Sequence, residues 1–307
     1  MEDIIIIDNE PMSRHTSWRA GGVARRYVQA QSLSALAAFI ASLPENEKLL
    51  WLGLGSNTLV RDGGFNGTVV ATEGVMKQLE RLDDTTVYVG AGVACAKLAR
   101  FCAKHDLEGA AFFAGIPGLI GGALAMNAGA FGGETWPLVS AVETLNRKGE
   151  ILKHDASDFD YGYRHVTGPV DEWFVSATLK LNKKNIDTQA DKNNTIDIRQ
   201  LLAKRAASQP TGVASCGSVF RNPQGQQAAQ LIETCELKGK RIGGAIVSEK
   251  HANFIINENN ATALDIESLI NLVQQTVEEV HGVALQREVR IVGDAVIANE
   301  KLEGVSE

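Results

Sequence analysis

The chain has 307 residues, of which 44% are hydrophobic and 22% charged, a balance that excludes an intrinsically disordered protein. No sustained glycine triplet or heptad runs through it, which excludes collagen-like and coiled-coil classes. Its 37 acidic against 30 basic residues give a net charge of −7 without a basic block, a poor match for nucleic acid or an anionic membrane surface.

A single core rarely grows past roughly 250–300 residues, so more than one domain is expected. Short β-rich runs alternate with single helices through the first 180 residues or so. Arg26–Ala30 reads as a strand and Leu33–Leu43 as a helix, with apolar positions at 33, 36, 39, 40 and 43. Leu49–Leu52, Thr68–Ala71, Thr85–Val89, Val139–Asn146 and Phe174–Leu181 read as strands. Cys95–His105 reads as helical, and a second short helix is expected after Pro117. The polar run 182–194 (NKKNIDTQADKNN) is the best linker in the chain. Beyond it, Ile198–Ala207 and Ala228–Thr234 read as helices, and Ile242–Val247, Asn253–Asn257 and Glu288–Val292 as strands. The clearest helix spans Ala263–His281, with Ile266, Leu269, Ile270, Val273, Val277 and Val280 on one face. Thr262 and Asp265 predict a capping box at its start, and Gly282 its stop.

Cys95, Cys102, Cys216 and Cys235 show no metal-ligand spacing, so no metal is expected, and such sparse usage suits a reducing cytoplasm. The first ten residues carry four acids and no base, unlike a signal peptide. Residues 109–133 lack any charged side chain, long enough to span a bilayer. Their last nineteen positions hold seven glycines, Pro117 and Asn127, which leaves little side-chain area for lipid. A backbone-rich loop is the reading, not a membrane span.

Two loops concentrate the glycine. One is Gly53-Leu54-Gly55-Ser56-Asn57, running on into Arg61-Asp62-Gly63-Gly64. The other is Gly115-Ile116-Pro117-Gly118, then Gly121-Gly122 and Asn127-Ala128-Gly129. Bare glycine backbone lets N–H groups approach phosphate oxygens, and the second loop feeds a helix start, where the dipole favours negative charge. Neither is a Rossmann fingerprint, since Thr58 stands where a third Gly or Ala belongs and a strand follows. No Walker lysine follows either loop. Each is a tight turn or a phosphate cradle; the two together favour a dinucleotide on a non-Rossmann scaffold.

Tyr161-Gly162-Tyr163-Arg164-His165 places an arginine in a turn, and its guanidinium fork is suited to a carboxylate or phosphate. Ser218, in Gly217-Ser218-Val219-Phe220-Arg221-Asn222-Pro223, lacks the GxSxG elbow of a hydrolase and is either a turn serine or a proton donor. Glu288 stands at the mouth of a strand. Lys238, Lys240, Arg241, Lys250 and His251 gather positive charge in an acidic chain, as a pocket for an anionic substrate would. His15, His105, His154 and His281 have no partner legible in sequence.

These segments together resemble the UDP-N-acetylenolpyruvoylglucosamine reductases. The matching stretches are HTSWRAGG at 15–22, GLGSN at 53–57, GIPGLIGGALAMNAGAFG at 115–132, Tyr163-Arg164, GSVFRNP at 217–223, KGKRIGGAIVSEKHANFIIN at 238–257 and Glu288-Val289-Arg290. The short region around Tyr163-Arg164, with no inserted tyrosine loop, is similar to the shorter, type II subtype. Gln286-Arg287 stands where the family usually has Glu-Pro, Arg221 where Lys is common, Trp18 where Phe is common, and Val166 where Ser often follows.

The resemblance implies an α+β chain with a vanillyl-alcohol-oxidase-like (PCMH-type) FAD-binding domain, then an α+β substrate domain. Its expected blocks are 1–66 and 67–182 for FAD, 183–195 as linker, and 196–307 for the UDP-sugar. It implies non-covalent FAD, held by Gly53, Gly55, Ser56, Asn57 and Thr58 from the first loop. Gly115, Ile116, Pro117, Gly118, Gly121, Gly122, Asn127, Ala128 and Gly129 are the expected cofactor contacts of the second. It implies NADPH as hydride source and UDP-N-acetylglucosamine enolpyruvate as acceptor, in a cytoplasmic, monomeric enzyme of cell-wall precursor synthesis. Arg164, Ser218 and Glu288 fall on the family's catalytic positions, and Tyr163, Arg221, Asn222, Lys250 and His251 on its substrate positions. Two alternatives stand beside this: another flavin oxidase or dehydrogenase of the same fold, and a non-catalytic nucleotide-binding protein.

Overall fold

A computed structural model describes residues 3–183 and 198–296. All but the first residue of the expected linker, 183–195, lies outside the described residues. The chain divides into two compact units, and the division is interleaved. Among the described residues, one unit comprises 3–6, 28–54, 69–183 and 198–209; the other comprises 7–27, 55–68 and 210–296. The sequence reading expects consecutive blocks, with everything before residue 183 in the cofactor half. Packing explains the difference: Trp18, Ala20 and Leu59 belong to the same core as Phe220, Ile232 and Leu269. Thr58–Val60 also forms a parallel ladder with Arg290–Val292.

In the first unit, an antiparallel sheet runs in the order Ile151–Asp155, Val139–Asn146, Glu172–Lys180, Thr86–Gly90, Leu79–Arg81. Val87, Val89, Val142, Ala177 and Leu179 are buried with Leu98 of the Cys95–Lys104 helix and with Phe113, Leu124 and Trp136. The Trp136 indole is satisfied there by donating to Leu124 O at 2.8 Å. The second sheet of this unit runs in the order 4–6, 28–30, 69–71, 49–52. Leu36 and Ile40 of the Leu33–Ser42 helix are buried with Val70, Leu145 and Val175. That helix begins at Ser32, whose hydroxyl accepts from Ala35 N–H at 3.2 Å.

The second unit is organised on the Ala263–His281 helix, which has the predicted bounds and the predicted capping box. Thr262 Oγ1 accepts from Asp265 N–H and the Asp265 carboxylate accepts from Thr262 N–H, both at 3.0 Å. Gly282, at φ +67°, closes it in the left-handed conformation. Ile266, Leu269, Ile270, Val273 and Val277 are buried as expected, but Val280 is 58% exposed, because the last turn runs past the core. The expected strand Ile242–Val247 is a hairpin instead. Arg241–Ile242 turns at Gly243-Gly244 into Ala245–Val247, which pairs with Ile255–Asn257. A Cβ on Gly244 would lie 2.2 Å from Asn259 O, so close backbone approach requires this glycine.

Candidate active site

The first unit carries the second glycine loop and Arg164. Gly115-Ile116-Pro117-Gly118 leaves a 3₁₀ turn at Ala111–Gly115 and enters the helix Ile120–Ala125. The amides of that helix start are less available than its sequence suggests. Ile120 N–H donates to Val93 O at 2.9 Å and Gly121 N–H to Ala91 O at 2.8 Å. Gly121 is tightly packed, since a Cβ there would come within 3.1 Å of Ala91 Cβ. At Gly122 a Cβ would meet nothing within 4 Å. Internal packing therefore does not demand that glycine, and its backbone is open on that side. Arg205, on the Ile198–Ser208 helix, donates from Nη1 to Gly115 O, and burial lowers its pKa. Sequence gives no hint of this contact, which joins residues ninety positions apart.

Asn127, an expected cofactor contact, lies inside this unit. Its side chain is committed to the protein: Oδ1 accepts from Trp136 N–H at 2.9 Å, and Nδ2 donates to Glu134 at 3.0 Å and Gly162 O at 2.9 Å. Fully buried, its side chain anchors the hairpin Asp160–Gly162/His165–Thr167. Arg164 sits at the hairpin turn with φ +56°, as the predicted turn requires. Its Nη2 donates to Gly129 O at 2.9 Å and its Nη1 to Asn127 O at 3.4 Å. Its guanidinium carbon lies 5.2 Å from the centre of the Tyr163 ring. Loop, asparagine and arginine thus form one assembly.

The second unit carries Ser218, Glu288 and residues 55–58 of the first loop. Gly55 is left-handed at φ +58°, and a Cβ on it would strike His15 O at 2.1 Å. Its carbonyl accepts from Ser17 N–H at 3.0 Å and from the buried Cys216 thiol at 3.4 Å. Burial pushes that thiol's pKa up to about 12, so it acts here as a neutral donor. Asn57 Nδ2 donates to Glu288 O at 3.0 Å, and Arg290 N–H returns a bond to Asn57 O at 3.0 Å. Glu288 N–H donates to Val219 O at 2.8 Å, one residue past Ser218. Three motifs far apart in sequence are clasped by backbone bonds. Ser218 and Glu288 are both half-buried.

The expected cationic cluster is partly neutralised. Lys238 pairs with Glu233 at 2.5 Å, and Arg241 pairs with Glu258. Asn222 Oδ1 accepts from Ala228 N–H at 3.1 Å and so helps start the Ala228–Thr234 helix. By contrast, Arg221 Nε and His251 Nδ1 are buried without a hydrogen-bond partner among the described residues. Burial, and then the charge of Lys238, lower the His251 pKa. Ser248 Oγ accepts from the amides of Lys250 and His251 at 3.2 and 3.3 Å, folding them into a tight loop. Arg287, the departure from the family pattern, donates to Gln274 at 2.7 Å and Asn271 at 2.5 Å on the long helix. The four unassigned histidines have partners as well: His15 bonds Glu10 at 2.9 Å, His154 bonds Glu172 at 2.8 Å, His281 bonds Thr234 at 2.9 Å, and His105 packs on Phe101.

No helix among the described residues is long and apolar enough to cross a membrane. Residues 24–155 match a family profile described as an FAD binding domain. Residues 209–292 match the C-terminal domain of UDP-N-acetylenolpyruvoylglucosamine reductase. The chain is 54% identical to the UDP-N-acetylenolpyruvoylglucosamine reductase of Legionella pneumophila (strain Corby), covering 94% of this chain and 93% of that one. The reductase of Methylococcus capsulatus is also 54% identical, at 94% and 93% coverage. Among solved structures, the reductase of Thermus caldophilus superposes with a TM-score of 0.77 at 28% identity, covering 94% of this chain and 98% of that one. The expected α+β fold with an FAD-binding domain stands on these matches.

Proposed function

The chain belongs to the UDP-N-acetylenolpyruvoylglucosamine reductase family, and from that premise we propose how its own residues carry the reaction. The reaction is reduction of UDP-N-acetylenolpyruvoylglucosamine by NADPH through FAD, a step of peptidoglycan precursor synthesis. The bare backbone at Gly122 fits a bound cofactor. Residues of the two glycine loops, Gly53–Thr58 and Gly115–Gly122, would hold it. When bound, the flavin supplies a hydride, taken from NADPH, to the terminal carbon of the enolpyruvyl group.

The residues do the rest. An enol ether is electron-rich, so its carboxylate must be polarised before hydride adds. Arg164 grips that carboxylate with a guanidinium whose plane is steadied by the carbonyls of Asn127 and Gly129. A protonated Glu288 would donate a hydrogen bond to the negative charge that develops on the carboxylate side of the transition state. Ser218 gives its hydroxyl proton to the carbon next to the carboxylate, completing the lactyl ether, and regains a proton from solvent. Arg221, Lys250 and His251 receive the diphosphate. A buried orphan polar atom costs roughly 1–3 kcal/mol, and an anionic ligand relieves that cost at Arg221 Nε and His251 Nδ1. Free thiols and nucleotide substrates fit a reducing cytoplasm.

One observation carries the assignment of roles: the bonds from Asn57 to Glu288 and from Glu288 to Val219. They tie the Glu288 backbone to the residue that follows Ser218, which supports a shared site for the two. The test separates the two halves of turnover by stopped-flow absorbance. Ser218→Ala should bleach with NADPH at the parental rate, whereas reoxidation by the enolpyruvyl sugar slows by about 10²–10⁴, as for a lost general acid. Equal slowing of both halves would make Ser218 a structural residue.

A further inference from the structure

Asn253 has no assigned role, yet it binds the backbone of the two residues that follow Ser218. It is 3% exposed. Its Nδ2 donates to Phe220 O at 2.8 Å, and its Oδ1 accepts from Phe220 N–H at 2.9 Å. Its own carbonyl accepts from Val219 N–H at 2.9 Å. One asparagine therefore satisfies both backbone groups of Phe220 and the amide of Val219, as a neighbouring strand would. The segment needs such a partner, because Gly217 is left-handed at φ +74° and Phe220 is buried. Unpaired backbone at that depth would be costly.

The contact reaches further than one loop. Val219 O, on the same residue, accepts from Glu288 N–H. Asn253 also lies in the 248–254 loop that carries Lys250 and His251, which is closed by Ser248 N–H donating to Phe254 O at 2.8 Å. Resting on the roles proposed above, we infer that Asn253 is a positioning residue: it sets the Ser218 hydroxyl in register with Glu288 and with the Lys250–His251 loop. Size alone does not explain the choice. An amide donates and accepts at once on one planar group, and no other side chain of that length does so.

Asn253→Asp keeps the shape and reverses one bond. One carboxylate oxygen still accepts from Phe220 N–H, but the other faces Phe220 O with no hydrogen to give. A 1 Å misplacement of a reacting group can cost about 10²-fold in rate. The variant should hold flavin and bleach with NADPH within about twofold of the parent, while reoxidation by the enolpyruvyl sugar slows at least about tenfold. The deficit should shrink as pH falls, because a protonated carboxyl regains the missing donor. In a Ser218→Ala background the same change should cost less than about twofold, since a residue acting through the serine has nothing left to position. If aspartate prevents folding, Asn253→Ser is read in the same two ways. Parental reoxidation in Asn253→Asp, or an equal loss with and without the serine hydroxyl, would overturn the inference. The roles themselves fail by a different sign: a Ser218→Ala enzyme with undiminished reoxidation.

Discussion

Arg164 shows how far single residues were legible. Its motif predicts a turn arginine suited to a carboxylate, and it sits at a hairpin turn, docked on two carbonyls. Lysine keeps the charge but is a point cation and cannot hold a planar carboxylate through two parallel bonds. Arg164→Lys should therefore lower kcat by roughly 10²–10³ with flavin content unchanged, the loss expected of a transition-state contact. A kcat near the parental value would make Arg164 structural. Asn127 and Asn222 were read as ligand contacts; the Asn127 amide bonds within the fold at both ends, and Asn222 Oδ1 accepts from a helix start. Residue type announces a capacity for hydrogen bonding but not the partner. The partner lies at positions 134, 136, 162 or 228, and only folding brings it near.

Elements with a strong period or clear caps were legible to the residue. Val139–Asn146, Ala228–Thr234 and Ala263–His281 have the predicted bounds. The strand Ile4–Pro11 was not among the expected elements, although its four consecutive isoleucines are strong strand formers. One tie on the long helix was also hidden. Asp62 accepts from Ala263 N–H at 3.0 Å and Leu264 N–H at 2.8 Å, while the Arg61 guanidinium bonds both oxygens of Glu267 at 2.8 Å. The dipeptide after the first glycine loop thus caps a helix two hundred residues away. Asp62→Ala should cost about 1 kcal/mol, as for a lost N-terminal cap, and lower Tm by roughly 2–4 °C. The Arg61 bonds, and then the charges of Arg61 and Arg287, hold the Glu267 pKa below its ordinary value. A depressed folded pKa gives stability that is full above the ordinary carboxylate pKa and lost as pH falls through the folded one. The Tm gap between the parent and Glu267→Gln should accordingly be widest near neutral pH and narrow in acid. Parallel Tm curves from pH 7 to pH 3 would show that the pair contributes nothing.

At the scale of the whole molecule, composition bounded the class and the motifs identified the family, but neither revealed the interleaving. Residues 7–27 and 55–68 pack with the C-terminal unit because the apolar surfaces of Trp18 and Leu59 match that core, a complementarity no local pattern encodes. The glycine-loop residues read as cofactor contacts include no histidine or cysteine to form a covalent flavin bond, so acid precipitation should release all flavin into the supernatant. Yellow colour in the washed pellet would contradict that. The central claim, a flavin reduced by NADPH and reoxidised by a UDP-linked enol ether, is tested most directly by one anaerobic titration. NADPH should bleach the yellow protein, and a stoichiometric amount of UDP-N-acetylglucosamine enolpyruvate should restore the colour without air. If the colour returns only when oxygen is admitted, the protein is an oxidase of the same fold and the account is contradicted.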